Sequence, residues 1–255
     1  MPRVSVIMSV FNREEFVEEA IDSILNQTFS DFEFLIVDDG STDTSREKLT
    51  KYNDPRVQIF LNDVNRGNAL NLNDLILKSK GEYLAIMDSD DASIASRLEI
   101  QVAYMDDHLE VGISGGARIV RVGDEERIYN DLECENVNHL LPEGNVLAQP
   151  TVIMRKSLIE KFHLMYDPTC KWAEDYDLWL RSSLYFPIAN IKEPVLYYRH
   201  HPGQIGQRKS RLQERDARRA LYRYHRQNYI RNKSSKNLKS VIKHLFRYIS
   251  YAATT

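Results

Sequence analysis

Four short β-rich apolar runs, at residues 4–10, 32–37, 57–61 and 82–87, fall within the first 90 residues, and stretches of helical periodicity separate them. Between the first two, residues 14–25 set Phe16, Ala20, Ile21, Ile24 and Leu25 on one face of a helix. A polar helix near 44–52 and another over 68–78 occupy the later gaps. Strands alternating with helices of this length predict an α/β fold around a doubly wound, mostly parallel sheet.

The fourth run ends abruptly in Asp88-Ser89-Asp90-Asp91, three carboxylates within four residues. In open α/β sheets the carboxyl ends of the strands border the ligand crevice, so these acids arrive at a metal and phosphate position. Like charges crowded together raise one another's pKa and are best tolerated around a cation or in open solvent. Magnesium or manganese, which combine carboxylates with ligand phosphates, suit such a set. Taken alone, the string fits a solvated turn capping the next helix equally well.

Other strand ends carry further chemistry. Phe11-Asn12 follows the first run and Asp38-Asp39-Gly40 the second, while Glu174-Asp175 opens a later helical stretch. Phe11 suits stacking on a nucleobase or a place in the core, and Asp38 or Asp39 suits a base N–H, a ribose hydroxyl or simple turn chemistry.

Several stretches together resemble the inverting family 2 glycosyltransferases of the GT-A fold, a Rossmann-like architecture for nucleotide-diphospho-sugar transfer. They are Val4-Ser5-Val6-Ile7-Met8-Ser9-Val10-Phe11-Asn12, Val37-Asp38-Asp39-Gly40-Ser41-Thr42-Asp43, Asn65-Arg66-Gly67, Gly81-Glu82-Tyr83 leading into Met87-Asp88-Ser89-Asp90-Asp91, Glu174-Asp175-Tyr176-Asp177-Leu178-Trp179-Leu180-Arg181, and Tyr198-Arg199-His200-His201-Pro202-Gly203. The resemblance covers residues 4 to about 206. It implies a nucleotide-diphosphate sugar as donor, Mn2+ or Mg2+ as cofactor, and a glycan or lipid-linked acceptor in surface polysaccharide synthesis. Asp88-Ser89-Asp90 matches the DXD motif, with Asp90 on the metal and Asp88 holding ribose or sugar hydroxyls beside it. Phe11, Asn12, Asp38, Asp39 and Arg66 fall at nucleotide-binding positions. Asp175 matches the catalytic base and Glu174 a residue that orients the acceptor. Arg199 and His201 match positions for the diphosphate or the metal, with His200 competing for the second role. The start of a helix before Asp175 is expected to keep its carboxylate ionised. Two departures are Phe11, where tyrosine is commoner, and Asn71-Leu72-Asn73-Asp74, which lacks a glycine often found there.

Rival readings meet specific obstacles. A haloacid dehalogenase-type phosphatase needs Thr or Val where Ala92 stands, and a nucleotidyltransferase wants a glycine-rich phosphate loop after the first strand. A different class remains: a non-catalytic GT-A scaffold whose basic tail binds a polyanion, either membrane or nucleic acid. Intact Asp90, Asp175 and His201 weigh against it, and the tail has no recognisable nucleic-acid reader motif, so no specific nucleic-acid partner is expected.

That tail is visible in the charge distribution. The formal net charge of −3 conceals 14 Lys and Arg against two acids after residue 206, a net +12, which leaves −15 on residues 1–206. The division suggests a transferase domain over 1–206 and a basic helical tail over 207–255. Leu238, Val241, Ile242, Leu245, Phe246 and Ile249 keep helical spacing, with Lys236, Lys239, Lys243 and Arg247 off the stripe. Such a helix suits an anionic membrane surface, aided by Tyr248 and Tyr251, and equally a seat on the body or in a homodimer. No run of eighteen apolar residues and no basic-then-apolar amino terminus occur, and Cys134 and Cys170 lack metal-ligand spacing. The expected location is therefore cytoplasmic, peripheral on the inner face of the membrane.

In the second half the pattern is less regular. It predicts one or two strands over 111–122, a strand over 151–154, helices over 158–162 and 173–185, and a strand passing into a loop from Tyr197 to Gly203. Acceptor choice is expected to rest on residues 117–149.

Overall fold

A computed structural model describes residues 1–122, 125–129, 134–201, 210–233 and 235–252. Strands β1 (Val4–Val10), β2 (Phe32–Asp38), β3 (Val57–Leu61) and β4 (Tyr83–Asp88) pair in parallel in the order β3-β2-β1-β4. The crossovers are α1 (Val17–Leu25), α2 (Ser45–Leu49) and α3 (Asn68–Lys78). β1, β2 and β4 are buried along nearly their whole length, so they read as largely apolar runs rather than alternating ones, while the edge strand β3 is partly exposed. Alternation survives in which layer each residue joins. Val4, Val6, Met8 and Val10 pack with Ile21 and Ile24 of α1, whereas Ile7 faces Leu72 and Ile76 of α3. Each fully buried aliphatic side chain contributes roughly 1.5–3 kcal/mol.

Beyond β4 the sheet becomes mixed. β8 (Ile153–Arg155) runs antiparallel to β4, β6 (Ile113–Val122) antiparallel to β8, and β9 (Ile188–Tyr198) parallel to β6. A two-residue β5 (Ala92–Ser93) closes against β9, and β7 (Glu125–Tyr129) forms a hairpin with β6.

Several expectations shift here. The stretch 111–122 holds one strand, starting at Ile113, and the strand expected over 151–154 begins two residues later because a 3-10 turn, Gln149–Thr151, precedes it. α5 spans Lys156–Lys161, and α6, Glu174–Ser182, ends short of residue 185. A helix at Arg97–Asp107, α4, was not foreseen. Nor was most of β9, which contains Pro194 at an irregular register against Ala117, a residue that argues against a central strand when met in sequence. Pro202 and Gly203 of the expected strand-to-loop segment lie outside the described residues, as do parts of the expected acceptor region and residues 207–209 of the tail.

The C-terminal helices α7 (Ser210–Asn232) and α8 (Ser235–Ala252) form an antiparallel pair, as the bonds from Tyr251 to Arg211 O and between Ser240 and His225 require. α7 packs on α6 through the fully buried Ala220, and Arg223 pairs with Asp167 and reaches Asp177 of α6 at 3.5 Å. Asp216, also buried, accepts from the Trp172 backbone N–H at 3.2 Å. Among the described residues no helix is long and apolar enough to cross a membrane.

Candidate functional site

Register brings the key loops side by side. Val10 pairs with Asp38 and Ser9 with Asp88, so the loops after β1, β2 and β4 leave the sheet at one level. Phe11 leaves β1 with 41% of its surface exposed. Asn12 adopts φ 52°, a left-handed conformation that Asn tolerates better than most residues. Its side chain accepts from Thr42 N at 2.8 Å and its N–H donates to Ser41 Oγ at 3.0 Å, which ties the first loop to the second.

The two acids of the second loop are bound differently. Asp38 is fully buried; its Oδ2 accepts from Arg46 Nε at 2.9 Å, and its Oδ1 has no partner among the described residues. Asp39 takes Arg66 N at 2.8 Å and Asn62 Nδ2 at 3.1 Å on one oxygen and Gly67 N at 2.9 Å on the other, and so seats the loop that starts α3. The Arg66 side chain turns outward to Asp74, at 2.7 Å. Gly40 is required for this arrangement, because φ is +73° and a Cβ would stand 2.8 Å from the Val64 carbonyl carbon.

At the end of β4 the carboxylate oxygens of Asp88, Asp90 and Asp91 lie within 4.8 Å of one another. Asp90 Oδ2 accepts from Arg13 Nε at 3.0 Å and lies 2.9 Å from His201 Nε2. Burial pushes Asp88 up to about 7, with the neighbouring Asp90 adding to it. Burial first, then Asp88, pushes Asp91 up to about 8. Asp91 accepts from the Arg199 backbone N–H at 2.9 Å, and its other oxygen is buried without a partner among the described residues. Such a cluster of hard oxygens, one of them unpartnered, beside an imidazole fits a Mg2+ or Mn2+ ion. Behind it lies the fully buried Arg97, which donates to Ile86 O, Ser93 Oγ and Gln101 Oε1 and is held down to about 10 by burial.

The fourth wall is the start of α6. Asn68 Nδ2 donates to Glu174 at 3.3 Å, and burial, then Asp175, pushes Glu174 up to about 8. Asn145 Nδ2 donates to Asp175 at 2.9 Å. At Asp175 the helix start does favour the charge through backbone N–H groups, as expected, but desolvation outweighs them and its pKa is raised rather than lowered. The charge of Asp175 is felt at Asp88, and Gln149 Nε2 reaches Asp88 at 3.4 Å.

Asp88, Asp90, His201, Glu174 and Asp175 therefore share one crevice. His201 faces Asp90, while His200 lies edge-on to the Tyr198 ring at 5.4 Å. The side chains of Arg66 and Arg199 point elsewhere; Arg199 Nη2 meets Glu19 at 2.6 Å and its guanidinium lies over Phe16. Sequence reasoning missed Arg13, Asn68, Asn145 and Gln149, each joined to an acid by a long-range bond that no local pattern announces. Asp91 was visible in the acidic string without a role.

Residues 5–162 match the family described as Glycosyl transferase family 2. WbnJ, an O-antigen biosynthesis glycosyltransferase of Escherichia coli, is 36% identical over 210 residues, 78% of this chain and 80% of that protein. WfgD of Escherichia coli, a UDP-Glc:alpha-D-GlcNAc-diphosphoundecaprenol beta-1,3-glucosyltransferase, is 31% identical over 69% of this chain and 68% of its own length. Among solved structures, S. aureus TarS 1–349 in complex with UDP superposes with a TM-score of 0.73 at 20% identity, over 100% of this chain and 74% of that one. The mannosyltransferase PcManGT of Pyrobaculum calidifontis, in complex with GDP-Man and Mn2+, gives 0.68 at 19% identity over 99% and 73%. Those two likenesses bear on the fold, and the matches of sequence bear on the family. With its acids gathered at the strand ends of a β3-β2-β1-β4 sheet, the chain belongs to glycosyl transferase family 2 and is a glycosyltransferase of the GT-A fold.

Proposed function

We propose that residues 1–206 carry a metal-dependent inverting transfer of a sugar from a nucleotide-diphosphate donor to a hydroxyl of a glycan or lipid-linked acceptor in surface polysaccharide synthesis. The observation that carries this reading is the Asp88-Asp90-Asp91 cluster facing Asp175 and Glu174 across one crevice. The names of WbnJ and WfgD support the glycan context, and the UDP and GDP-Man complexes of TarS and PcManGT support a nucleotide donor.

Phe11 offers an exposed ring for a base, with Asn12 beside it, and Asp38 or Asp39 would accept from a base N–H or ribose hydroxyl. Arg66 and Arg199 are assigned to the nucleotide and diphosphate, which requires their side chains to leave Asp74 and Glu19. Asp90, Asp88 and His201 would hold Mn2+ or Mg2+, with Asp91 behind them. A bound divalent ion there supplies charge neutralisation for the departing diphosphate. Asp175, steadied by Asn145, takes the proton of the acceptor hydroxyl as its oxygen bonds to the anomeric carbon. The bond from that carbon to the diphosphate breaks on the opposite face, and its electron pair leaves with the diphosphate. Glu174, pushed up to about 8, keeps its proton at neutral pH and can donate to an acceptor oxygen. The unpaired thiols of Cys134 and Cys170 suit the reducing cytoplasm.

A calorimetric screen of UDP, GDP, dTDP and CMP with and without manganese tests this. One nucleoside diphosphate should bind only with metal, and Asp90→Ala should lose that binding. Failure of all four to bind would instead favour a non-catalytic scaffold.

A further inference from the structure

α8 is divided lengthwise into three sectors. Val241, His244, Leu245 and Tyr248 turn toward α7, with His244 stacked on His225 of that helix at 4.3 Å. Leu238, Ile242, Phe246 and Ile249 face outward, Phe246 with 68% of its surface exposed. These four lie within about 80° of helix circumference and along about 17 Å of its length. Lys239, Lys243 and Arg247 form a third, exposed row directly beside them. The apolar stripe read from the sequence is thus split, half used inside the molecule and half left outside.

We infer that this outer face of α8 is a docking surface for an anionic lipid bilayer, lying in the headgroup layer with its apolar row inward and its basic row against lipid phosphates. A helix that pairs an apolar row with a row of cations, and cannot span, has the chemistry of an in-plane interfacial helix. Charge argues against a second copy on the same face. The tail holds only two acids, Glu214 and Asp216, and these already pair with Arg218 and Arg215. A symmetric contact would therefore oppose one basic row to another. A nucleic acid would meet the cations but leave Ile242, Phe246 and Ile249 in water. The open cleft of about 390 Å³ lined by Arg218, Phe246, Arg247, Ser250 and Tyr251 lies at the border of the apolar row, where a phosphate headgroup would sit.

The seat would be rigid with respect to the catalytic crevice. α8 packs on α7, α7 on α6 through Ala220 and the Arg223 pairs, and α6 begins at Glu174 and Asp175. The inference concerns binding alone and stands or falls separately from the transfer chemistry.

The test is flotation of the full chain with phosphatidylcholine vesicles, with and without phosphatidylglycerol. Wild type should float with the anionic vesicles only. Phe246→Ser with Ile249→Ser should abolish flotation at nearly unchanged melting temperature, since both side chains are more than half exposed. Lys239→Gln and Lys243→Gln should each weaken partitioning about fivefold at low salt. Equal flotation of wild type and the double serine variant overturns the inference. So does a self-association, seen by sedimentation and lost in that variant, in a wild type that does not float.

Discussion

His201 Nε2 stands 2.9 Å from Asp90 Oδ2, a contact that joins the end of β9 to the end of β4 across 111 residues. The same oxygen accepts from Arg13, so Asp90 is held from two sides by groups that arrive from different strand ends. A divalent ion bound at Asp90 would compete with the Arg13 guanidinium for that carboxylate.

Arg13→Gln should therefore raise the affinity of the nucleotide-free protein for Mn2+ by about fivefold, the equivalent of ~1 kcal/mol for a partly exposed ion pair. Isothermal titration or the paramagnetic resonance of free Mn2+ measures this directly. Unchanged or weakened binding would count against a competing role for Arg13.

Asp175→Asn should lower kcat by about 10²–10⁴, the range usual for loss of a general base, with nucleotide binding intact. Glu174→Gln should be much milder than Glu174→Ala, because burial already keeps that carboxyl neutral near pH 7 and an amide preserves a donor. Steady-state kinetics with a reactive acceptor separate the two. If the Gln and Ala variants lose activity equally, Glu174 acts as an anion and the assignment fails.

The stacked imidazoles between α7 and α8 predict a pH dependence. Burial, then His244 and Lys243, hold His225 down to about 4, and burial with Arg247 and Lys243 lowers His244 too, against a smaller opposing pull from Glu143. Groups whose folded pKa is depressed bind fewer protons folded than unfolded, so stability rises with pH between the two values. The contact should be firm above about 6.5, the ordinary histidine pKa, and should weaken progressively as pH falls toward about 4. Hydrogen exchange of α8 amides at pH 5 and pH 7.5 measures the difference, and faster exchange at the higher pH, after correction for intrinsic rates, would contradict it.

Gly40→Ala should cost about 1–3 kcal/mol in urea unfolding, from a positive φ combined with a close approach to the Val64–Asn65 backbone. Because Asp39 next to it seats the Arg66-Gly67 loop, nucleotide affinity should fall in the same variant. Normal stability with normal nucleotide binding would show that the loop shifts without consequence.

The parallel half of the sheet was legible because each strand is a largely apolar run and two of the crossover helices, α1 and α3, carry an apolar stripe. The expected helix over 68–78 coincides with α3. The second half hides its elements for physical reasons. α4 buries Arg97 and Gln101 among apolar neighbours, which blurs its periodicity, and Pro194 interrupts the reading of β9. In the site, the acids were legible as strings at strand ends. Their partners were not, since Arg13, Gln149 and Asn145 meet Asp90, Asp88 and Asp175 only after the chain has folded. The direction of the Asp175 shift was misjudged because a helix start is visible in sequence and the depth of a crevice is not.

A composition change at residue 206 marks where the chain turns basic, and the packing ignores it. Ala220, Asp216 and Arg223 complete the back of α6, so a protein shortened at that point would expose the buried side of the helix that carries Glu174 and Asp175. Grafting the tail of one relative onto the body of another would therefore exchange part of the support of the reaction centre along with its address. Chimeras made at that seam should inherit their turnover from how well the two helix surfaces match, whatever lipid or glycan the new tail prefers.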